Sequence, residues 1–240
     1  MAILGTPARN LKRSQVGSLL ILWLRLARDS FEQSLSARWQ AVALPILTVL
    51  LFAAVVAFSG ARKMWNDELF TFYIAQAPSL GQMFHEIRLD LNPPLEYLAV
   101  RGSLSVFGSN EYAARLPSML AFFVASASLY WFMARRLSSA YGVLAVAVLW
   151  STPFLYYATE ARPYALVLAF FGIAMLAWVY RAETRRPKAA LTVLALAVCG
   201  MMFSHFFAVF YLLPLGLAEL VRGYRKRKID FPVWAALIVP

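Results

Sequence analysis

Six apolar runs, most of them free of charge, govern what this 240-residue chain can fold into. They cover 41–59, 112–133, 140–157, 163–180, 189–204 and 206–221, and a seventh begins at Phe231 and is cut off at Pro240. A helix of about 20 residues crosses the ~30 Å hydrocarbon layer of a bilayer, so runs of this length read as membrane spans. Composition agrees: 61% of residues are hydrophobic, 15% are charged, and the mean hydropathy is +0.63. The expected fold class is therefore an all-α integral membrane protein, a multi-span helical bundle. A net charge of +11 does not point to nucleic acid, because the basic residues fall in clusters between the spans. The single cysteine, Cys199, lies within an apolar run and leaves no intrachain disulfide to form.

Charge counting orients the spans. Lys and Arg accumulate on the cytoplasmic side of membrane proteins. With the N-terminus cytoplasmic, that side collects the basic residues from Arg9 through Arg38, then Arg135 and Arg136, the Arg181–Lys188 cluster and the Arg222–Lys228 cluster, 17 of 23 cations in all. Seven of the 12 acids then lie outside: Asp67, Glu68, Glu86, Asp90, Glu96, Glu111 and Glu160. The expected protein is a multi-pass inner (plasma) membrane protein with an extracytoplasmic active face.

Two segments test this parity. Residues 95–107 are apolar but number only 13 and carry Glu96 and Arg101, so they read as a helix lying in the interface. Residues 189–221 are too long for one span at 1.5 Å per residue, and a break near Ser204-His205 resolves them into two. Residues 1–38 read as a cytoplasmic or interfacial segment with an amphipathic helix over 16–26, since Ala27-Arg28-Asp29 is a poor signal-cleavage site. Residues 39–240 form the transmembrane domain, and its truncated last span reads as the N-terminal part of a longer protein.

The chemistry-bearing residues gather on the outer side. Trp65-Asn66-Asp67-Glu68 places two adjacent carboxylates just past the first span, in a long outer loop, 60–111, expected to carry two interfacial helices near 67–77 and 94–107. A carboxylate there can act as general base toward an acceptor hydroxyl; the alternative for Asp67 is helix capping. The same loop holds His85-Glu86, Arg88 and Asn92-Pro93-Pro94-Leu95, and Pro suits the start of a helix. Arg115-Leu116-Pro117-Ser118 reads as an anchored helix start with Pro in the first turn. Thr159-Glu160-Ala161-Arg162-Pro163-Tyr164 marks the next outward turn, with Glu160 beside Asp67 and Arg162 toward a phosphate, or else a cap and an interfacial anchor. His205, on the same face, would join a carboxylate–imidazole group if a divalent cation were held there.

Taken in order, these motifs resemble the N-terminal half of the C-fold membrane glycosyltransferases. The likeness is to the protein mannosyltransferase and lipid A aminoarabinose transferase group, nearest to bacterial lipopolysaccharide-core sugar transferases, and it runs from about Trp39 to Arg222. The resemblance implies an inverting transfer of a sugar from a polyprenyl-phosphate donor to an extracytoplasmic lipid, glycan or protein acceptor, with membrane lipids around it and no nucleic acid. It implies Asp67 as the catalytic base, Glu68 as its support or a helix cap, and Glu160 as a second acid of the same site. His205 matches a residue that joins a metal site in some relatives. Asn92 departs from the pattern, because some relatives carry a basic residue just before Pro-Pro; that leaves Arg88 or Arg162 to meet the donor phosphate. The competing readings are a non-enzymatic polytopic protein (a transporter or lipid-flipping subunit) or an inactive truncated homologue. Transporters concentrate ionisable groups near the bilayer midplane, whereas the acids here gather at one edge.

Overall fold

A computed structural model of the chain describes residues 37–90, 92–183 and 187–238, with side chains from residue 46 onward. The segment read as an amphipathic helix, 16–26, lies outside the described residues, as do Arg185 and Arg186. The chain divides into two compact units, 1–46 and 47–240; apart from residues 37–46 of the first described helix, everything below lies in the second. Among the described residues the secondary structure is entirely helical.

Ten α-helices follow one another among the described residues: α1 (Ala37–Ala61), α2 (Asn66–Ala75), α3 (Leu80–Asp90), α4 (Leu95–Phe107), α5 (Glu111–Arg136), α6 (Ser139–Ser151), α7 (Tyr164–Glu183), α8 (Pro187–Ser204), α9 (Leu212–Lys226) and α10 (Phe231–Ile238). Two 3-10 segments interrupt them, Pro153–Thr159 and Phe206–Tyr211. α5, α7, α8 and the stretch Phe206–Lys226 are each long and apolar enough to span a bilayer, and two bent pairs bring the number to six. The chain is an integral membrane bundle, and its exposed surface fits that solvent. Val49, Leu50, Leu196 and Leu217 stand between 61% and 66% exposed, while the buried positions of α5 and α7 are rich in alanine. Small residues let backbones approach where lipid offers no hydrophobic drive for association. Gly172 of α7 shows the limit, since a Cβ there would come within 2.6 Å of the Ser128 Cβ on α5.

Two bends shape the end where the site lies. The axis turns 97° between residues 46–61 of α1 and α2, so the chain leaves its first span and runs sideways. The expected span 140–157 is instead α6 followed by a 76° bend into Pro153–Thr159. Pro153 has no N–H to continue the ladder, and Thr152 turns its hydroxyl back onto the Leu149 carbonyl at 2.8 Å. The interfacial helices expected near 67–77 and 94–107 are α2 and α4, with α3 between them.

Arginines close the helix ends in this layer. Arg101 donates to the carbonyls of Ala75 (3.0 Å) and Ala77 (2.7 Å), taking up orphan acceptors where α2 stops. Pro117 sits in the second turn of α5 rather than the first, because the helix starts at Glu111. It therefore leaves the Ala113 carbonyl without its helical donor, and the Ser103 hydroxyl of α4 supplies one at 2.6 Å. The buried apolar residues Tyr97, Val100 and Leu104 of α4 then seal that helix against its neighbours.

Candidate active site

α2 begins where the chain emerges from α1, and its first turn carries both Asp67 and Glu68. Helical spacing points the two neighbours in different directions, and their fates differ accordingly. Glu68 is fully buried. Arg115 grips it with two parallel hydrogen bonds, Nε to Oε1 at 2.7 Å and Nη2 to Oε2 at 2.9 Å. The Ala161 amide adds a third at 2.9 Å and the Trp65 amide a fourth at 3.3 Å, which is half of a capping box. Burial alone would raise the Glu68 carboxyl, but these donors overcome it and hold it below the usual carboxylate range. The capping role thus falls to Glu68.

Arg115 is equally buried and turns its remaining donor back onto α1, meeting the carbonyls of Ser59 and, at 2.9 Å, Arg62. One ion pair therefore ties together the end of α1, the start of α2, the start of α5 and the loop before α7. The sequence reading of Arg115 as an anchored helix start understates this.

Asp67 keeps its side chain 44% exposed. Among the described residues its charged partner is Arg162, whose Nη2 stands 3.7 Å from Oδ2 and whose Nη1 donates to the Asp67 backbone carbonyl at 3.3 Å. Arg162 is largely buried, its Nε has no partner, and the Ser118 hydroxyl holds its backbone carbonyl at 3.1 Å. Glu160 pairs with Arg62, which donates from Nη2 at 3.2 Å. Burial raises the Glu160 carboxyl, against the pull of Arg62 and with a further push from Glu68. Arg62 also approaches Glu68 Oε2 at 3.5 Å, so the two acid sites share one cation.

Glu96, in the first turn of α4, is the residue the sequence reading missed. It is fully buried, and neither carboxylate oxygen has a hydrogen-bond partner. Burial pushes it up to about 8, and the Arg162 charge opposes that rise. The available signal was an acid in the first turn after Pro-Pro, in a helix otherwise dominated by apolar residues.

The other expected residues separate. Asn92 donates its amide to Asp90, at 2.9 Å to Oδ2 and 3.2 Å to the carbonyl, and the Tyr97 hydroxyl donates to the same Oδ2. It fastens the α3–α4 connection. Arg88 is exposed on α3 and pairs with none of these groups. His205 lies at the break between α8 and the following 3-10 segment, where its Nδ1 accepts the Phe207 amide at 3.0 Å. Its ring packs 5.5 Å from Tyr164, and Tyr164 lies 5.9 Å from the Arg162 guanidinium. Burial and the Arg162 charge both lower the imidazole. Among the described residues no three or more His, Cys, Asp or Glu side chains gather to hold an ion. No step below is routed through a metal.

A helical membrane bundle with an acid–arginine cluster at the end of its spans has the architecture of a C-fold membrane glycosyltransferase. The chain belongs to the family described as dolichyl-phosphate-mannose-protein mannosyltransferase, whose model matches residues 91–239. No curated protein and no solved structure matches it. The matched segment contains Asn92, Glu96, Glu160, Arg162 and His205; Asp67, Glu68 and Arg88 precede it and join the site, where they do, through the fold.

Proposed function

We propose that this membrane glycosyltransferase moves a sugar, with inversion, from a polyprenyl-phosphate donor to a lipid, glycan or protein acceptor, with Asp67 as general base. The observation that carries this reading is the contrast between adjacent carboxylates. Glu68 has four donors and no exposure, while the Asp67 carboxylate is half open and, among the described residues, pairs with Arg162 alone.

In this reaction the acceptor hydroxyl oxygen attacks the anomeric carbon. The bond from that carbon to the phosphate oxygen breaks on the opposite face, polyprenyl phosphate departs, and the acceptor proton passes to Asp67. Charge grows on the departing phosphate, so a fixed cation nearby lowers the barrier. Arg162 suits that task, because its 3.7 Å contact with Asp67 is longer than a hydrogen bond and its Nε is uncommitted. Exposed Phe70, Tyr73, Tyr156, Phe207 and Phe210 on this end of the bundle offer apolar surface along which an isoprenoid chain can lie. Glu160 keeps Arg62 in place beside Glu68, and Glu96 gives Arg162 a neutral neighbour that leaves its charge for the donor. The excess of Lys and Arg at the other end of the bundle supports an arrangement with this face outside an inner membrane and the N-terminus in the cytoplasm.

The test is transfer by the full-length protein in vesicles, with a radiolabelled polyprenyl-phosphate sugar against the matching nucleotide sugar. Label should reach the acceptor from the first donor with release of polyprenyl phosphate. Transfer from the nucleotide sugar alone would overturn the donor assignment.

A further inference from the structure

The opposite end of the bundle carries a second cluster that sugar transfer does not use. α7 runs 20 residues from the Arg162 loop to Glu183, about 30 Å at 1.5 Å per residue. That distance matches the hydrocarbon thickness, so the far end lies at the headgroups of the other leaflet. There Arg181, Arg222, Lys226, Lys228 and Asp230, with Ile229, line a cavity of about 470 Å³.

The cavity is built rather than incidental. Arg227 adopts a left-handed conformation (φ 48°), and the Lys228 amide donates to the Gly223 carbonyl at 3.1 Å, which ends α9 and folds the chain back across it. Asp230 then accepts from Arg181 at 3.3 Å and Arg222 at 3.2 Å, while Glu219 holds Arg222 from the other side at 2.8 Å. The two guanidinium groups are thus preorganised, and the Arg181 Nε is buried without a partner. Lys226 and Lys228 are exposed and have no acid partner among the described residues. Four cations face one acid within the cavity wall. Two apolar residues of its lining, Ile229 and Phe231, stand 57% and 72% exposed.

We infer that this cavity binds the phosphate headgroup of an anionic membrane lipid, with the glycerol and upper acyl chains against Ile229 and Phe231. Basic residues that only anchor helix ends need no concavity and no fixed arginines; a site for a free phosphate needs no exposed apolar rim at the membrane surface. Basic pockets between transmembrane helices at headgroup depth fit the diester of an acidic phospholipid. The inference stands apart from the transfer chemistry, since it shares no residue with it.

The experiment uses the full-length protein in nanodiscs doped with phosphatidylglycerol or phosphatidylcholine bearing the same photoreactive headgroup-proximal label, with adducts mapped by mass spectrometry. The phosphatidylglycerol probe should label residues 222–232 about tenfold more than the phosphatidylcholine probe. The double variant Lys226→Gln/Lys228→Gln should bring it down to the phosphatidylcholine level with an unchanged melting temperature, and Lys226→Arg/Lys228→Arg should retain it. Equal labelling by the two lipids, or labelling indifferent to the Gln variant, would overturn the site. Competition by millimolar inorganic phosphate as effective as by lipid would also overturn it, in favour of a soluble anion.

Discussion

The two ends of α7 carry ionic clusters of similar composition and opposite completeness. At the Arg181 end every acid oxygen is engaged. Glu219 accepts the Trp178 indole N–H at 2.8 Å and two bonds from Arg222, and Asp230 takes one arginine on each oxygen. At the Arg162 end Glu68 is equally saturated, but Asp67 is half exposed and Glu96 is buried with both oxygens unpartnered. A fully engaged carboxylate in a low-dielectric layer serves as a brace, because moving it would strand charge. Carboxylates left open or unpartnered are the ones available to substrate and proton. The contrast assigns structure to one cluster and to half of the other.

Breaking the Glu68–Arg115 pair should have the largest effect. Glu68→Gln or Arg115→Met each leaves an uncompensated buried partner, a loss of about 3–5 kcal/mol. The expected outcome is little folded protein, read by fluorescence-detected size-exclusion chromatography in detergent. Normal yield from both variants would mean that the brace is dispensable.

At the far end, Glu219→Gln and Asp230→Asn should lower thermal stability by an intermediate amount, about 1–3 kcal/mol each. Turnover per folded molecule should not change. A selective loss of turnover would erase the distinction between the clusters.

Glu96→Gln sharpens the comparison through pH. The folded carboxyl is raised to about 8 from an ordinary 4.5. Between those values the folded state binds more protons than the unfolded one, so wild-type stability falls as pH rises through this window. Melting temperature measured from pH 6 to pH 9 should therefore drop more steeply in wild type than in Glu96→Gln. Parallel curves would show that Glu96 does not hold its proton. Smallest of all, Arg88→Gln should alter neither melting temperature nor transfer, since Arg88 is exposed and pairs with no acid among the described residues.

The spans were legible because the solvent is a bilayer: uncharged runs of fixed length leave few alternatives, and the break at His205 and the interfacial α4 followed from length and charge alone. The bend at Pro153 was harder to see, because the residues beyond it are as apolar as those before. In the site, the outer acids were legible as a set, but their division of labour was not. Whether Asp67 or Glu68 turns inward depends on where Arg115 lies, 47 residues later, and no local pattern encodes that pairing. The pairing of Arg62 with Glu160, 98 residues apart, leaves no local pattern for the same reason. Asn92 illustrates the reverse, since a position suggestive of substrate contact turns out to hold Asp90.

The most direct measurement is sugar transfer by full-length Asp67→Asn, normalised to folded protein and compared with wild type at saturating donor. The substitution keeps the size and removes the proton acceptor, so turnover should fall by about 10²–10⁴-fold with melting temperature and donor binding preserved. Turnover within a few fold of wild type would contradict the assignment of Asp67 as the base.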